Sequence, residues 1–237
     1  MMYAVSDIHG CYDQYENLLD KLHLKENDTL YVLGDVIDRG PDGFRILCDM
    51  ASRPNVVNLM GNHEAMALNA ISQLARCYAV RQGARGCRRS EDAVELWVSN
   101  GGEVSLINFL SLGKKEMQTT WDYMRAMPLY QEVTAGNRPF LLVHGGLGNF
   151  SPSRPLEDYQ PEELLWCRPE PDTAYFPDRQ VVLGHTPTQS LYNSIEKPAL
   201  GGKIFRTDSF IDIDCGCVYP GGRLGCLCLD TMEELYI

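Results

Sequence analysis

The feature that most constrains this chain is the placement of its histidines. Five short glycine-containing blocks hold four of the five histidines, together with acidic residues and an asparagine. In chain order the blocks are Ser6–Gly10, Gly34–Gly40, Gly61–Glu64, Val143–Gly146 and Gly184–Thr186. Imidazole nitrogens mixed with hard oxygen donors are what a pair of divalent transition-metal ions requires. A fold that gathers the blocks in one place would therefore carry a dinuclear metal site.

The first three blocks each begin where an apolar segment stops. We predict strands at Tyr3–Val5, Thr29–Leu33 and Asn55–Met60, with helices at Gln14–Leu22 and Asp42–Ser52 between them. Ligands of α/β sheets bind in the crevice outside the carboxyl ends of the strands. The pattern therefore predicts an α/β fold whose metal site lies at strand ends.

The remainder of the chain is predicted to extend the same domain. Residues 65 to about 125 are expected to form a helical excursion, and a short helix is expected near Pro161–Trp166. Further strands are predicted at Leu129–Thr134, Phe140–His144, Gln180–Leu183, Leu191–Ile195, Phe210–Asp214 and Leu224–Leu229. At this length we expect residues 1–237 to be a single catalytic domain.

Charge and cysteine content exclude several classes of partner. The net charge of −11 disfavours nucleic acid and anionic membranes as partners. An odd number of cysteines without a secretory signal favours a cytoplasmic chain without a disulfide framework. Five arginines crowd residues 76–89, where no acidic residue occurs. That stretch is either a solvated surface or a basic rim that attracts phosphorylated substrates.

The five blocks, in this order and spacing, resemble those of the calcineurin-like metallophosphoesterases. Within that superfamily they are most similar to the phosphoprotein phosphatases, in particular the lambda-type bacterial and phage serine/threonine phosphatases. The resemblance runs from Ser6 to about Gly222. It implies a four-layer fold in which a central β-sandwich of two mixed sheets is flanked by helices. It also implies a monomer.

The resemblance implies a role for each matching residue. Two divalent ions, with Mn²⁺ favoured and Fe or Zn also suited to the ligands, would be held by Asp7, His9, Asp35, Asn62, His144 and His185. Asp35 would bridge the ions. His63 would protonate the leaving group while Asp38 orients it, and Arg39 and Arg168 would clamp the phosphate. Glu64 is expected to be a helix-start carboxylate, with a role as a distant ligand left open. Trp97 is expected to serve in packing.

The reaction expected from this resemblance is hydrolysis of phosphoserine or phosphothreonine in proteins. A hydroxide shared by the two ions would attack phosphorus directly. The alternative is a symmetrical diadenosine-tetraphosphate hydrolase, because those enzymes share the other blocks. They usually lack an aspartate at the position of Asp38, so Asp38 favours the phosphatase. A third possibility is a phosphate-sensing protein without turnover, which would be expected to lack at least one of these residues.

Overall fold

The computed structural model describes residues 1–81 and 92–237. It contains two five-stranded mixed sheets with helices on their outer faces. The fold class predicted from the sequence is therefore confirmed. The arginines at positions 85, 88 and 89 of the predicted basic rim lie outside the described residues.

The first sheet is built mainly from the N-terminal part of the chain. Its strands are β1 (Met2–Val5), β2 (Thr29–Val32), β3 (Val56–Asn58), β9 (Gly225–Cys228) and β10 (Glu234–Tyr236). The order across the sheet is β10-β9-β1-β2-β3. Strands β1, β2 and β3 run parallel, so their carboxyl ends share one edge. The connections between them are α1 (Tyr12–Leu22) and α2 (Gly43–Ala51).

The second sheet comes from the C-terminal half. Its strands are β4 (Tyr130–Ala135), β5 (Arg138–Val143), β6 (Gln180–Leu183), β7 (Phe205–Arg206) and β8 (Phe210–Asp212). The order is β4-β5-β6-β8-β7, with β5, β6 and β8 parallel. Two short helices, α7 (Pro161–Leu165) and α8 (Thr188–Ser194), lie in the connections.

Alternation along the strands separates three apolar layers. On β2, Tyr31 faces the interior between the sheets, whereas Leu30 and Val32 face the layer beneath the N-terminal helices. On β6, Val182 likewise faces the inter-sheet layer, whereas Val181 faces the outer layer of the second sheet. Because side chains of a strand point alternately to its two faces, this pattern produces the helix–sheet–sheet–helix arrangement.

The described part of the predicted excursion is helical. It consists of α3 (Asn62–Arg81), α4 (Asp92–Trp97), α5 (Glu103–Ser111) and α6 (Lys114–Ala126), with a π-helical segment at Val98–Gly102 between α4 and α5. Helices α3, α5 and α6 pack with α2 over the outer face of the first sheet, where Ala67, Phe109 and Met124 are buried. None of the helices in residues 1–81 and 92–237 is long and apolar enough to cross a membrane.

One strand prediction is wrong. The segment Leu191–Ile195 lies in and just after α8, which begins after Pro187. Within that helix Thr188 and Leu191 are buried, and a spacing of three residues places both on one helical face. The apolar spacing was therefore that of a short helix. Two of the late cysteines, Cys226 and Cys228, are buried thiols on β9.

Candidate metal centre

All five blocks converge at one edge of the two sheets. Each follows the carboxyl end of a parallel strand: the blocks that begin at Ser6, Gly34 and Gly61 follow β1, β2 and β3, and those of His144 and His185 follow β5 and β6. The backbone here is unusual. Six of the eleven non-glycine residues with positive φ in the described part of the chain are predicted site residues, namely Asp7, His9, Asp35, Asp38, Arg39 and His185. Such conformations are costly and cluster at functional sites.

Asp7, His9 and Asp35 form one half of the cluster. The Nδ1 atom of His9 donates to the carbonyl of Ile37 at 2.8 Å, which leaves Nε2 as the ring nitrogen that could bind a metal ion. This Nε2 lies 3.9 Å from Oδ1 of Asp7 and 3.7 Å from Oδ2 of Asp35. The other oxygen of Asp7 accepts from the Ser6 hydroxyl at 2.5 Å, so one carboxylate oxygen remains directed at the cluster.

Asn62, His144 and His185 form the other half, and they meet the first half at Asp35. The Nδ1 atom of His144 donates to the Leu33 carbonyl at 2.6 Å, and its Nε2 lies 3.4 Å from Oδ1 of Asp35. The Asn62 Oδ1 atom is 2.9 Å from the same Nε2. The ring centroids of His144 and His185 are 5.0 Å apart. Asp35 therefore presents one oxygen to each half.

The structure forms two compact groups of potential ligand atoms. One is His9, Asp35 and His63, and the other is Asp35, His144 and His185; within each group the ligand atoms lie within 4.8 Å of one another. Asp35 belongs to both groups, as its predicted bridging position requires. His63 was predicted as an acid rather than a ligand, and it joins the first group because its Nε2 is 3.7 Å from Oδ2 of Asp35.

Burial sets the protonation of these groups. It lowers the pKa of His9, His144 and His185, and it lowers that of His63 to about 2, with neighbouring cations adding to the effect. A lowered pKa favours the neutral imidazole, which is the form that can bind a metal ion. Burial also raises the pKa of Asp35 well above its usual value, and the charges of Asp7 and Glu64 raise it further.

These groups fit divalent cations. The Nε2 atom of His185 is buried and has no hydrogen-bond partner in the described structure, so a coordinated ion would satisfy it. A bound cation would also relieve the mutual repulsion of the buried carboxylates around Asp35. The neutral imidazoles and hard oxygens suit Mn²⁺, Fe²⁺ or Zn²⁺. The donor set and the orphaned nitrogen therefore favour metal binding at this edge.

Glu64 has a role that sequence reasoning missed. Its buried carboxylate accepts the backbone N–H groups of Asp35 at 2.9 Å, Val36 at 2.9 Å, Ile37 at 3.2 Å and Gly61 at 3.1 Å. It therefore fixes the loop that carries Asp35. A Cβ at position 61 would lie 2.3 Å from an oxygen of Asp35, which explains the glycine. Glu64 does sit in the first turn of α3 and accepts from Gly61 just before that helix, but its other three partners lie in the loop after β2.

His63 and Asp38 form the predicted pair. Nδ1 of His63 is 2.6 Å from Oδ2 of Asp38, and the indole N–H of Trp97 donates to the same oxygen at 2.8 Å. Burial raises the pKa of Asp38 to about 7, although hydrogen bonds from Ser105 and Trp97 oppose the rise. Trp97 is fully buried, so it does pack, but it also holds the partner of His63. Its position before Asn100 was the only signal in the sequence.

The two predicted clamp arginines lie on different halves of the cluster. The Arg39 guanidinium contacts Nε2 of His9 and lies 3.0 Å from Nε2 of His63. Arg168 donates to the carbonyl of His185 at 2.7 Å and lies 3.3 Å from the Thr186 hydroxyl. Guanidinium groups placed on both sides of a candidate metal pair can bind the equatorial oxygens of a phosphoryl group.

Comparison with known proteins identifies the family. The family model for calcineurin-like phosphoesterases matches residues 2–212. The chain therefore belongs to the calcineurin-like phosphoesterase family, whose members are hydrolases that use divalent metal ions. The resemblance inferred from the five blocks is confirmed at this level.

Two curated relatives have the same name. The protein from Delftia acidovorans is 38% identical over 150 residues, which is 62% of this chain and 44% of that protein. The protein from Buchnera aphidicola is 33% identical over 110 residues, 46% of this chain and 36% of that protein. Both are named symmetrical bis(5'-nucleosyl)-tetraphosphatase. The match thus spans less than half the length of either relative.

Solved structures support the fold. A protein assigned as a diadenosine tetraphosphatase superposes with a TM-score of 0.66 at 20% identity, covering 100% of this chain and 92% of that chain. A serine/threonine phosphatase from Saccharomyces cerevisiae gives a TM-score of 0.60 at 17% identity, with coverage of 95% and 71%. At such identities the two structures support the architecture alone.

The relatives overturn the predicted substrate. Phosphoserine and phosphothreonine in proteins were predicted from Asp38, but the curated relatives at 31–38% identity are named for a dinucleotide substrate. Phosphorylated proteins or peptides as partners, and a protein phosphatase as the enzyme, are therefore wrong predictions. The physical reason is that Asp38 orients a histidine, and orienting a histidine does not select what is attached to the phosphate.

Proposed function

We propose that this chain hydrolyses dinucleoside polyphosphates with two bound divalent metal ions, splitting a dinucleoside tetraphosphate symmetrically into two nucleoside diphosphates. The observation that carries the proposal is the shared Asp35, which offers one oxygen to each of two ligand groups within a site flanked by arginines. The names of the curated relatives support the choice of substrate. This was the alternative in the sequence interpretation.

Each site residue has a task in this reaction. Asp7, His9 and Asp35 would hold one ion, and Asp35, Asn62, His144 and His185 the other. When bound, the ions supply activated water and neutralise phosphate charge. We favour Mn²⁺ as the native metal, with Fe or Zn as the alternatives, because nitrogen and oxygen ligands suit all three.

The remaining groups act on the phosphate chain. Arg39 and Arg168 would bind the anionic oxygens on the two sides of the reacting phosphorus. His63, oriented by Asp38, would donate a proton from Nε2 to the departing nucleoside diphosphate. A neutral histidine can do this only after it has gained a proton, and the negative charge of a bound polyphosphate favours that gain.

A substrate panel tests the proposal. Purified protein loaded with Mn²⁺ is incubated with diadenosine tetraphosphate, a phosphoserine peptide and para-nitrophenyl phosphate, and the products are separated by chromatography. We expect the dinucleotide to be the preferred substrate and ADP its only nucleotide product. Mixed AMP and ATP would contradict symmetrical cleavage, and preference for the peptide would overturn the substrate.

Matched variants exclude contaminating hydrolases. Asp35→Asn, prepared in the same way, should have lost the activity. Asp49→Asn replaces a carboxylate between α1 and α2 and should retain it. Hydrolysis of para-nitrophenyl phosphate is also measured with and without Mn²⁺. Turnover that requires the metal would exclude the third possibility, a phosphate-sensing protein without activity.

A further inference from the structure

Trp166 is an exposed aromatic side chain that contacts the metal-ligand cluster. Of the three tryptophans it is the exposed one, at 41% of its surface, whereas Trp97 is fully buried. Its ring meets the ring of His185 edge-on, with centroids 6.0 Å apart. The segment is held on both sides of Trp166. The backbone N–H of Trp166 donates to the Glu162 carbonyl at the end of α7, and the Arg168 guanidinium donates to the His185 carbonyl. A large apolar ring is thus held in solvent beside the site.

Tyr219 is the corresponding feature of the other half. It is 43% exposed, and the guanidinium carbon of Arg39 lies 5.7 Å from its ring centroid. The ring stands on a tight turn in which the Tyr219 N–H donates to Gly216 and the Gly222 N–H donates to Tyr219. The Gly216 N–H in turn donates to the buried Asp214. The position of Tyr219 is therefore set by the fold.

The two rings serve different halves of the site. Tyr219 approaches the His9 and His63 side through Arg39, whereas Trp166 contacts the His185 side next to Arg168. Each half therefore has an exposed aromatic ring and a guanidinium group: Tyr219 lies near Arg39, and Trp166 and Arg168 both contact His185. A ligand that uses both halves would be anionic in the middle and aromatic at both ends. A dinucleoside polyphosphate has this form.

We propose that Trp166 and Tyr219 are the two nucleobase-stacking residues, one for each nucleoside of the substrate. This deepens the proposed function and rests on it. Stacking on an aromatic side chain is tolerant of base identity, because every base has a π-face. The site would therefore select for the presence of a base at each end rather than for adenine. The polyphosphate would lie between the rings, against Arg39 and Arg168.

The test separates recognition of the base from recognition of phosphate. ADP and pyrophosphate are compared as inhibitors of para-nitrophenyl phosphate hydrolysis, since the two differ by the nucleoside alone. ADP carries one base and can use either ring, so we expect its inhibition to weaken by about tenfold in the double variant Trp166→Leu/Tyr219→Leu, while the single variants Trp166→Leu and Tyr219→Leu are assayed with the dinucleotide. Inhibition by pyrophosphate should change by less than twofold. The KM for diadenosine tetraphosphate should rise by about tenfold in each single variant.

Conservative and remote variants complete the design. The double variant Trp166→Phe/Tyr219→Phe retains both aromatic faces and should restore most of the ADP inhibition. Tyr78→Ala removes a ring that is 68% exposed on α3, sixteen residues beyond Asn62, and should alter neither inhibitor. Equal weakening of ADP and pyrophosphate, or Leu and Phe variants that behave alike, would overturn the proposal.

Failure of this proposal differs from failure of the proposed function. If the wild-type protein leaves diadenosine tetraphosphate intact, the proposed function is wrong, yet the comparison of ADP with pyrophosphate still measures a base contribution. If the wild-type protein produces ADP but the double leucine variant keeps its selectivity for ADP over pyrophosphate, only the assignment of Trp166 and Tyr219 is wrong.

Discussion

Two carboxylates in this molecule, Asp35 and Asp49, show opposite electrostatic settings. Asp35 lies in the candidate metal centre, where burial and the charges of Asp7 and Glu64 raise its pKa. Asp49 lies between α1 and α2. Burial there acts to raise the pKa of Asp49, but hydrogen bonds from Arg53 at 2.6 Å and from the Tyr15 hydroxyl at 2.8 Å outweigh it and lower the pKa.

The difference separates the requirements of function from those of stability. Asp49 has partners within the chain, so its ionised form favours the folded state. Asp35 has neighbours of like charge, so its ionised form is favourable only when a cation joins it. The candidate metal centre therefore lowers the free energy of unfolding of the metal-free protein. Metal binding raises it again, because the ion stabilises the folded state. Substitutions at the two places should therefore have opposite effects.

The largest effect is expected for Asp35→Asn. Turnover should fall by at least about a hundredfold, because even a lost supporting partner of a metal ligand costs 10–100-fold. In the presence of a chelator, the variant should unfold at the same temperature as the wild type or higher, since a buried charge has been removed. Metal stoichiometry, activity and thermal unfolding check this. Destabilisation of the metal-free variant would contradict the comparison.

Glu64→Gln should reduce both stability and activity, unlike a substitution at Asp35 or at Asp49. Glu64 is buried in the candidate metal centre, yet its oxygens accept four backbone N–H groups. An amide group in place of one oxygen would oppose two of those donors, so we expect a loss of about 2 kcal/mol in the free energy of unfolding. Activity should also fall about tenfold, since the Asp35 loop loosens.

Urea unfolding in chelator measures the Glu64→Gln effect without a contribution from metal. Glu163→Gln is a matched control, because that carboxylate accepts from the guanidinium of Arg154 away from the Asp35 loop. It should leave turnover unchanged. Equal loss of activity in the two variants would show that Glu64 acts through general stability.

Trp97→Phe tests the contact that supports His63. Removing the indole N–H leaves Asp38 with one fewer donor and a small gap in the core, which together should cost about 2 kcal/mol. Turnover should fall by up to about tenfold, and more for substrates with poor leaving groups, because those depend most on the proton from His63. Trp121→Phe, in a half-buried ring on α6, is the control. Equal losses for good and poor leaving groups would contradict the positioning role.

The candidate metal-binding residues were easier to predict from the sequence than the residues that hold them in place. Asp7 and His144 lie in short glycine-containing blocks at the ends of apolar strands, so the local sequence indicated that they belong to one site. Glu64 and Trp97 act across 29 and 59 residues of chain, on Asp35 and Asp38, and no local pattern encodes such contacts. The wrong strand at Leu191–Ile195 has a related cause, because a short apolar segment allows either a strand or a helix until packing decides.

The smallest effect is expected for Asp49→Asn, which removes the carboxylate that is stabilised by partners within the chain. Asp49 and Arg53 are 29% and 41% exposed, so solvent screens their ion pair and the loss at pH 7 should be about 1 kcal/mol or less, with activity unchanged. Because the pKa of Asp49 is lower in the folded protein than its ordinary value of 3.8, its contribution is present above that pH. The contribution is lost as the pH falls through the lower, folded-state pKa. Urea unfolding of wild type and variant at pH 7 and pH 3 should therefore show a difference that shrinks in acid. A constant difference would mean that Asp49 stabilises the helix pair by packing rather than by charge.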